Sequence, residues 1–255
     1  MISMVLNIPN FDLRSDQMGN FSRDEKNPIT TRNLNKWNPK NIRCQSALTF
    51  LIIGKRKTGK TTLAKEIGES LVQDQTKVMV FTQDSKINYS LNSNTEIYDV
   101  YDSQKVKSHI NEKRVGAHEI FGESVAVDLV ETVVPDINSV IILDDLYYAK
   151  NDDNFQCILL NGRNLSTHLI MTQQCIDSTP MIRANIDYVF IFMENIENNR
   201  RKLYNHWGLR IFSDYMHFTS ILDEATKDFG CLVIDQTSDS NVLTDRVFWY
   251  SCPSN

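Results

Sequence analysis

No run of eighteen or more apolar residues occurs among the 255 residues, so the sequence offers no helical segment that spans a bilayer. The opening stretch, 1–9, is mostly apolar, but it lacks a basic flank and soon meets Asp12 and Arg14, which argues against a secretory leader. Cysteine is sparse and scattered. Cys44, Cys157, Cys175, Cys231 and Cys252 are odd in number and contain no Cys-x-x-Cys pair, so a disulfide framework and a zinc site are not expected and a reducing compartment is. No two of the five histidines lie three to five residues apart, which leaves no basis for a structural metal. An excess of positive charge is missing as well. The net charge of −5 speaks against coating nucleic acid with the whole surface, while leaving room for one local basic patch.

What is present is an ordinary globular composition, 41% hydrophobic and 23% charged, at a length that buries a full core as one domain with appendages. Residues 1–44 are polar and Asn-rich, with Asn-Pro at 27–28 and 38–39, and read as an irregular arm with short ordered pieces around Trp37. From 45 to 255 the pattern is that of an α/β domain. Apolar runs at 48–53, 77–82, 139–143, 168–172 and 188–192 have strand length, and 232–235 and 246–250 add two later strands. Between them, Leu63, Ile67 and Leu71 recur every four residues, 103–114 is amphipathic, and 154–161 forms a short helix. Near-continuous apolar strands separated by helices predict a mainly parallel central sheet covered on both faces. No internal repeat or low-complexity tract interrupts it.

Residues 54–61 read GKRKTGKT, a complete G-x-x-x-x-G-K-[ST] phosphate loop placed between a buried strand and a helix start. Gly54 and Gly59 let the backbone turn so that successive N–H groups face phosphate oxygens, and the helix N-terminus adds its dipole. Gly54, Lys55, Arg56, Lys57, Thr58, Gly59, Lys60 and Thr61, with Thr62 after them, are therefore the expected ATP-binding residues. Lys60 is expected to reach the β- and γ-phosphates and the Thr61 hydroxyl to ligate Mg²⁺.

Val140 to Asp145 has the form of a Walker B strand, four apolar residues followed by two carboxylates at the edge where open α/β sheets bind ligands. Asp144 is expected on Mg²⁺, and Asp145 is placed to polarise the attacking water. The strand at 168–172 ends in Thr172-Gln173-Gln174, whose amides can sense the γ-phosphate, with Gln174 preferred over Gln173. Ahead of that strand, Arg163 stands on a loop expected at the catalytic edge, where it can serve as an arginine finger to a neighbouring subunit; Arg183 is a second candidate. Arg200, Arg201 and Lys202, on an expected helix running toward Trp207, can face DNA phosphates or form a solvated face.

The set GKRKTGKT (54–61), VIILDD (140–145), LNGRN (160–164), LIMTQQ (169–174), NIDYVFIFMEN (185–195), NRRKLYNHW (199–207), CLVID (231–235) and DRVFWY (245–250) resembles, in order and spacing, the poxvirus-type genome-packaging ATPases of nucleocytoplasmic large DNA viruses, within the FtsK–HerA superfamily. The similarity spans roughly 45–251, and its C-terminal blocks are more specific than the phosphate loop. It implies a RecA-like core with an additional strand between the Walker strands, and ATP-driven, Mg²⁺-dependent movement of double-stranded DNA into a capsid by a homo-oligomeric ring. It further implies work at a cytoplasmic assembly site and in the virion, with capsid or virion-membrane partners. By the same resemblance Arg163 is the finger and Gln174 the sensor. Asn164 and Met193 depart from the His and Arg common at those places in the family, and Met193 is assigned no role. A P-loop kinase acting on a small molecule is the alternative, but no Arg-dense lid segment is visible. An ATP-binding scaffold without turnover is a third reading.

Overall fold

In the computed structural model, residues 34–42, 46–84, 87–121, 139–145, 149 and 151–251 are described. Most of the arm expected over 1–44, with Cys44, and also Cys252, lies outside them. The strands are β1 (Asn35–Lys36), β2 (Thr49–Ile53), β3 (Lys77–Thr82), β4 (Thr95–Tyr98), β5 (Ser139–Asp144), β6 (Thr167–Gln173), β7 (Tyr188–Ile191), β8 (Gly230–Asp235) and β9 (Val247–Ser251). They form one nine-stranded sheet in the order β1-β9-β8-β7-β2-β6-β5-β3-β4. β2 pairs in parallel with β6 and β7, β5 with β6 and β3, and β3 with β4. Only β8 breaks the direction, running antiparallel to β7 and β9. β6 lies between β2 and β5, so the strand that feeds the phosphate loop and the strand that ends in Asp144 are separated by one additional strand, as expected.

Side-chain alternation along these strands divides the core into two layers. Leu51, Ile53, Met79, Phe81, Ile141, Leu143, Leu169 and Met171 face one side. Phe50, Ile52, Val78, Val80, Val140, Ile142 and Ile170 face the other. Both sides being buried explains why the central strands read as unbroken apolar runs. The helices are α1 (Lys60–Leu71), α2 (Ser103–Phe121), α3 (Asp153–Asn161), α4 (Pro180–Ala184), α5 (Glu197–Leu203) and α6 (Tyr215–Ala225). α1 packs Leu63, Ala64 and Ile67 into the second layer, whereas Phe155 and Ile158 of α3 and Phe218, Ile221 and Leu222 of α6 join the first.

The departures from the sequence expectation have local causes. β4 is an edge strand with a half-exposed, polar pattern (TEIY), which carries no apolar-run signal. β1 has two residues and exists through its pairing with β9. The helix expected toward Trp207 changes winding: α5 ends at Leu203 and Tyr204–Gly208 form a π-helical turn. α6 was not anticipated, although its sequence carries both signals: Asp214 accepts a bond from His217 N–H at 2.8 Å as an N-cap, and apolar residues recur at helical spacing.

Candidate nucleotide-binding site

The phosphate loop leaves the C-terminal end of β2 and enters α1 at Lys60. A Cβ on Gly54 would sit 2.7 Å from Thr58 Oγ1 and 2.8 Å from Phe192 Cβ, so the first glycine is required by close packing under the loop. Gly59 adopts φ 103, the left-handed region that glycine enters without strain, and turns the chain into the helix. Inside the loop, Thr58 Oγ1 and Lys60 Nζ both donate to the Lys55 carbonyl, at 2.9 and 3.1 Å. Lys60 therefore arches over the loop. It is buried, and burial lowers its pKa while Asp145 and Asp144 oppose that shift. Arg56, Lys57 and Thr62 are exposed around the loop, adding two cations at its rim.

Asp144 and Asp145 emerge where β5 ends, next to this loop. The buried Asp144 carboxylate faces the Thr61 hydroxyl, which lies 3.3 Å from Oδ1 and 3.1 Å from Oδ2. An aliphatic hydroxyl and a carboxylate are hard oxygen donors, and Mg²⁺ is commonly held by one or two such groups with phosphate oxygens and waters completing the shell. Thr61 and Asp144 thus fit Mg²⁺. Asp145 adopts φ 59, more exposed than Asp144, and its Oδ1 lies 3.8 Å from Lys60 Nζ. Gln174 Nε2 donates to Asp145 Oδ2 at 2.7 Å. Of the two glutamines, Gln174 reaches the acid, whereas Gln173 is buried on the other side of β6 with Nε2 3.4 Å from Ser178 Oγ.

Arg163 is not at this edge. It precedes β6, which runs parallel to β2, so it stands where β2 begins and the phosphate loop stands where β2 ends. The seven residues of β6, at roughly 3.3 Å each, put about 20 Å between the two. The expectation of a loop at the catalytic edge placed Arg163 at the wrong end of its strand, because a residue before a parallel strand enters from the opposite side. There, 64% exposed, it pairs at 2.5 Å with Asp187, whose other oxygen accepts the Thr49 N–H at 2.7 Å. Burial raises the pKa of Asp187, and the Thr49 N–H and Arg163 oppose the rise. Arg183, on α4, lines the same open cleft of about 690 Å³. Arg163 stands away from the chain's own phosphate loop and is turned outward, whereas Arg183 is half-buried and donates to the Ser178 carbonyl of its own chain.

The basic run on α5 is engaged within the chain. Arg200 pairs with Asp223 at 2.6 Å and donates to the Thr219 carbonyl, Arg201 pairs with Glu197 and lies over the Tyr215 ring, and Lys202 pairs with Asp177. Two further residues meet the site, Glu194 from the 185–195 block, with no role expected for it, and Tyr89 from outside every block. Glu194, just past β7, accepts Lys55 Nζ at 2.8 Å, and Tyr89, between β3 and β4, donates its hydroxyl to Asp144 Oδ2 at 2.9 Å.

No family model matches the chain. Uncharacterized protein 088R of Invertebrate iridescent virus 3 is 29% identical over 216 residues, covering 82% of this chain and 77% of that protein. Uncharacterized protein L437 of Acanthamoeba polyphaga mimivirus is 32% identical over 120 residues, 45% of this chain, and the match spans 42% of that protein's length. Among solved structures, the genome packaging NTPase B204 from Sulfolobus turreted icosahedral virus 2, in complex with ATP-gammaS, superposes with a TM-score of 0.53 at 18% identity, covering 77% of this chain and 96% of that one. The pCW3 conjugation coupling protein TcpA, with ATPgS, gives 0.55 at 10% identity, covering 86% and 69%. These likenesses establish the fold: the chain is built as a P-loop NTPase, with a mainly parallel central sheet flanked by helices.

Proposed function

We propose that this protein is a Mg²⁺-dependent ATPase that drives double-stranded DNA into a viral capsid, working as a homo-oligomeric ring at a cytoplasmic assembly site in the infected cell. The observation that carries the ATPase reading is the convergence of Lys60, Asp145 and Gln174 at the mouth of the phosphate loop, beside the Thr61–Asp144 pair. Lys60 and the loop N–H groups hold the phosphates, and Thr61 and Asp144 hold Mg²⁺, which neutralises phosphate charge. Asp145 takes a proton from the water that attacks the γ-phosphorus as the bond to the β–γ bridging oxygen breaks, releasing ADP and phosphate. Gln174, bonded to Asp145, is placed to register whether the γ-phosphate is present.

The outward-facing Arg163 supports an assembly in which one subunit completes its neighbour's site. The DNA-packaging reading is supported by the resemblance of the sequence blocks, by relatives in large DNA viruses, and by the likeness to a solved packaging NTPase. Capsid or virion-membrane components are the partners this role calls for. The test is ATP turnover by the purified protein with and without duplex DNA, with the mass of the assembly measured in parallel. Turnover stimulated by DNA and a closed oligomer are expected. Turnover indifferent to DNA with no oligomer would sink the motor reading, and transfer of label from ATP to a nucleoside would replace it with a kinase.

A further inference from the structure

Tyr89 belongs to no motif, yet it is fully buried, and its hydroxyl is directed at the carboxylate expected to serve Mg²⁺. The hydrogen bonds around Asp144 can be given directions. Thr172 Oγ1 accepts the Asp145 backbone N–H at 2.9 Å, so its proton is free to go to Asp144 Oδ1, 2.6 Å away. The Tyr89 phenol donates to the other oxygen, Oδ2, at 2.9 Å. One hydroxyl thus grips each carboxylate oxygen. The two fix the plane of the group so that its remaining acceptor capacity faces the Thr61 hydroxyl, which sits nearly equidistant from both oxygens.

From this geometry we propose that Tyr89 is a positioning residue for the metal site: it orients Asp144 toward the place Mg²⁺ takes beside Thr61, together with Thr172. This rests on the nucleotide-binding reading of the loop and adds to it a residue from outside every motif. An aromatic side chain suits the task. Its ring is packed in the layer with Val78, Val80 and Ile142, which leaves the hydroxyl little freedom to turn away. A carboxylate held at both oxygens does not need to be ordered when the ion arrives, and loss of such outer partners typically costs about 10–100-fold in metal affinity.

The test is binding of ATPγS to full-length protein by calorimetry, titrated with Mg²⁺ and repeated in EDTA. Tyr89→Phe removes one oxygen and keeps the ring. The expected result is a rise of about tenfold or more in the Mg²⁺ concentration for half-maximal enhancement of binding, with affinity in EDTA unchanged and a modest fall in melting temperature from the donor lost to the buried Asp144. Thr172→Val is expected to shift the Mg²⁺ midpoint in the same direction. An unshifted midpoint in Tyr89→Phe overturns the proposal, and so does equal loss of binding with and without Mg²⁺, which would assign Tyr89 to the fold alone. Failure of the wild-type protein to bind ATPγS in either condition would instead remove the nucleotide-binding reading itself.

Discussion

Lys55 of the phosphate loop is paired at 2.8 Å with Glu194, a buried carboxylate that also accepts the Ile196 N–H and the Asn199 amide. The loop is thereby tied to the first turn of α5, and through Arg200, which reaches the Glu194 carbonyl, Asp223 and the Thr219 carbonyl, to α6. Burial works against ionisation of Glu194, and the bonds from Lys55, Ile196 and Asn199 outweigh it, holding its pKa below the usual value.

Breaking that tie tests whether it shapes the loop. Glu194→Gln keeps the bond from Ile196 but loses the charge that holds Lys55. It is expected to weaken ATPγS binding several-fold with a modest fall in melting temperature. Lys55→Ala should weaken it similarly, and the double variant by less than the product of the two, as for residues that act through one contact. Fully multiplicative losses would show the pair to be uncoupled.

Asp145→Asn preserves size and the contact with Gln174 while removing the proton acceptor. Turnover is expected to fall by about 10²–10⁴-fold, the usual worth of a general base, with nucleotide affinity nearly unchanged. Lys60→Ala should instead lose both, since Lys60 is the buried cation of the loop. If Asp145→Asn turned over at the wild-type rate, the acid would have to be sought elsewhere.

Arg163 offers a test of assembly. Arg163→Ala is expected to bind ATPγS normally, because its guanidinium faces away from its own loop, yet to lose about 10³-fold or more in turnover. Mixing Arg163→Ala with Lys60→Ala subunits should restore part of the activity at junctions where an intact loop meets an intact arginine. No recovery in co-assembled mixtures would argue that Arg163 acts within its own chain or only braces Asp187.

Two buried histidines make the fold acid-sensitive. His109, bonded to Thr167 Oγ1, and His168, which accepts the Leu48 N–H, are both held neutral by burial down to a pKa of about 4. Lys113 and Lys77 push His109 the same way, and the Leu48 N–H, which needs an unprotonated Nδ1 as its acceptor, likewise favours the neutral ring at His168. The unfolded chain takes up these protons near pH 6.5, so the stability they contribute is complete above that value and is lost as pH falls toward 4. Each histidine puts on the order of 3 kcal/mol at stake across that window. Melting temperatures should drop steadily from pH 7 to 5, and a flat profile would contradict the placement of both rings.

The parts of the site that sit on one continuous stretch were legible without coordinates. The phosphate loop follows from glycines at set spacing after an apolar strand, and the acid pair from an apolar strand that ends in charge. Such features are local, so residue order alone carries them. β4 and β1 were not legible because neither is buried on both faces, and pairing with β3 or β9 is what makes them strands.

By itself, then, the sequence determined that the chain is a P-loop α/β domain and supplied Lys60, Thr61, Asp144 and Asp145, since strand, turn and helix signals act over a few residues. Tertiary structure alone decided which distant groups meet them. The hydroxyl of Tyr89 lies 55 positions from Asp144 in the chain and 2.9 Å from it in space, and Glu194 meets Lys55 only because β7 pairs with β2. It also decided which end of the sheet each residue occupies. Arg163 and Gln174 flank the same strand, but a parallel strand has two ends, and they stand at opposite ones.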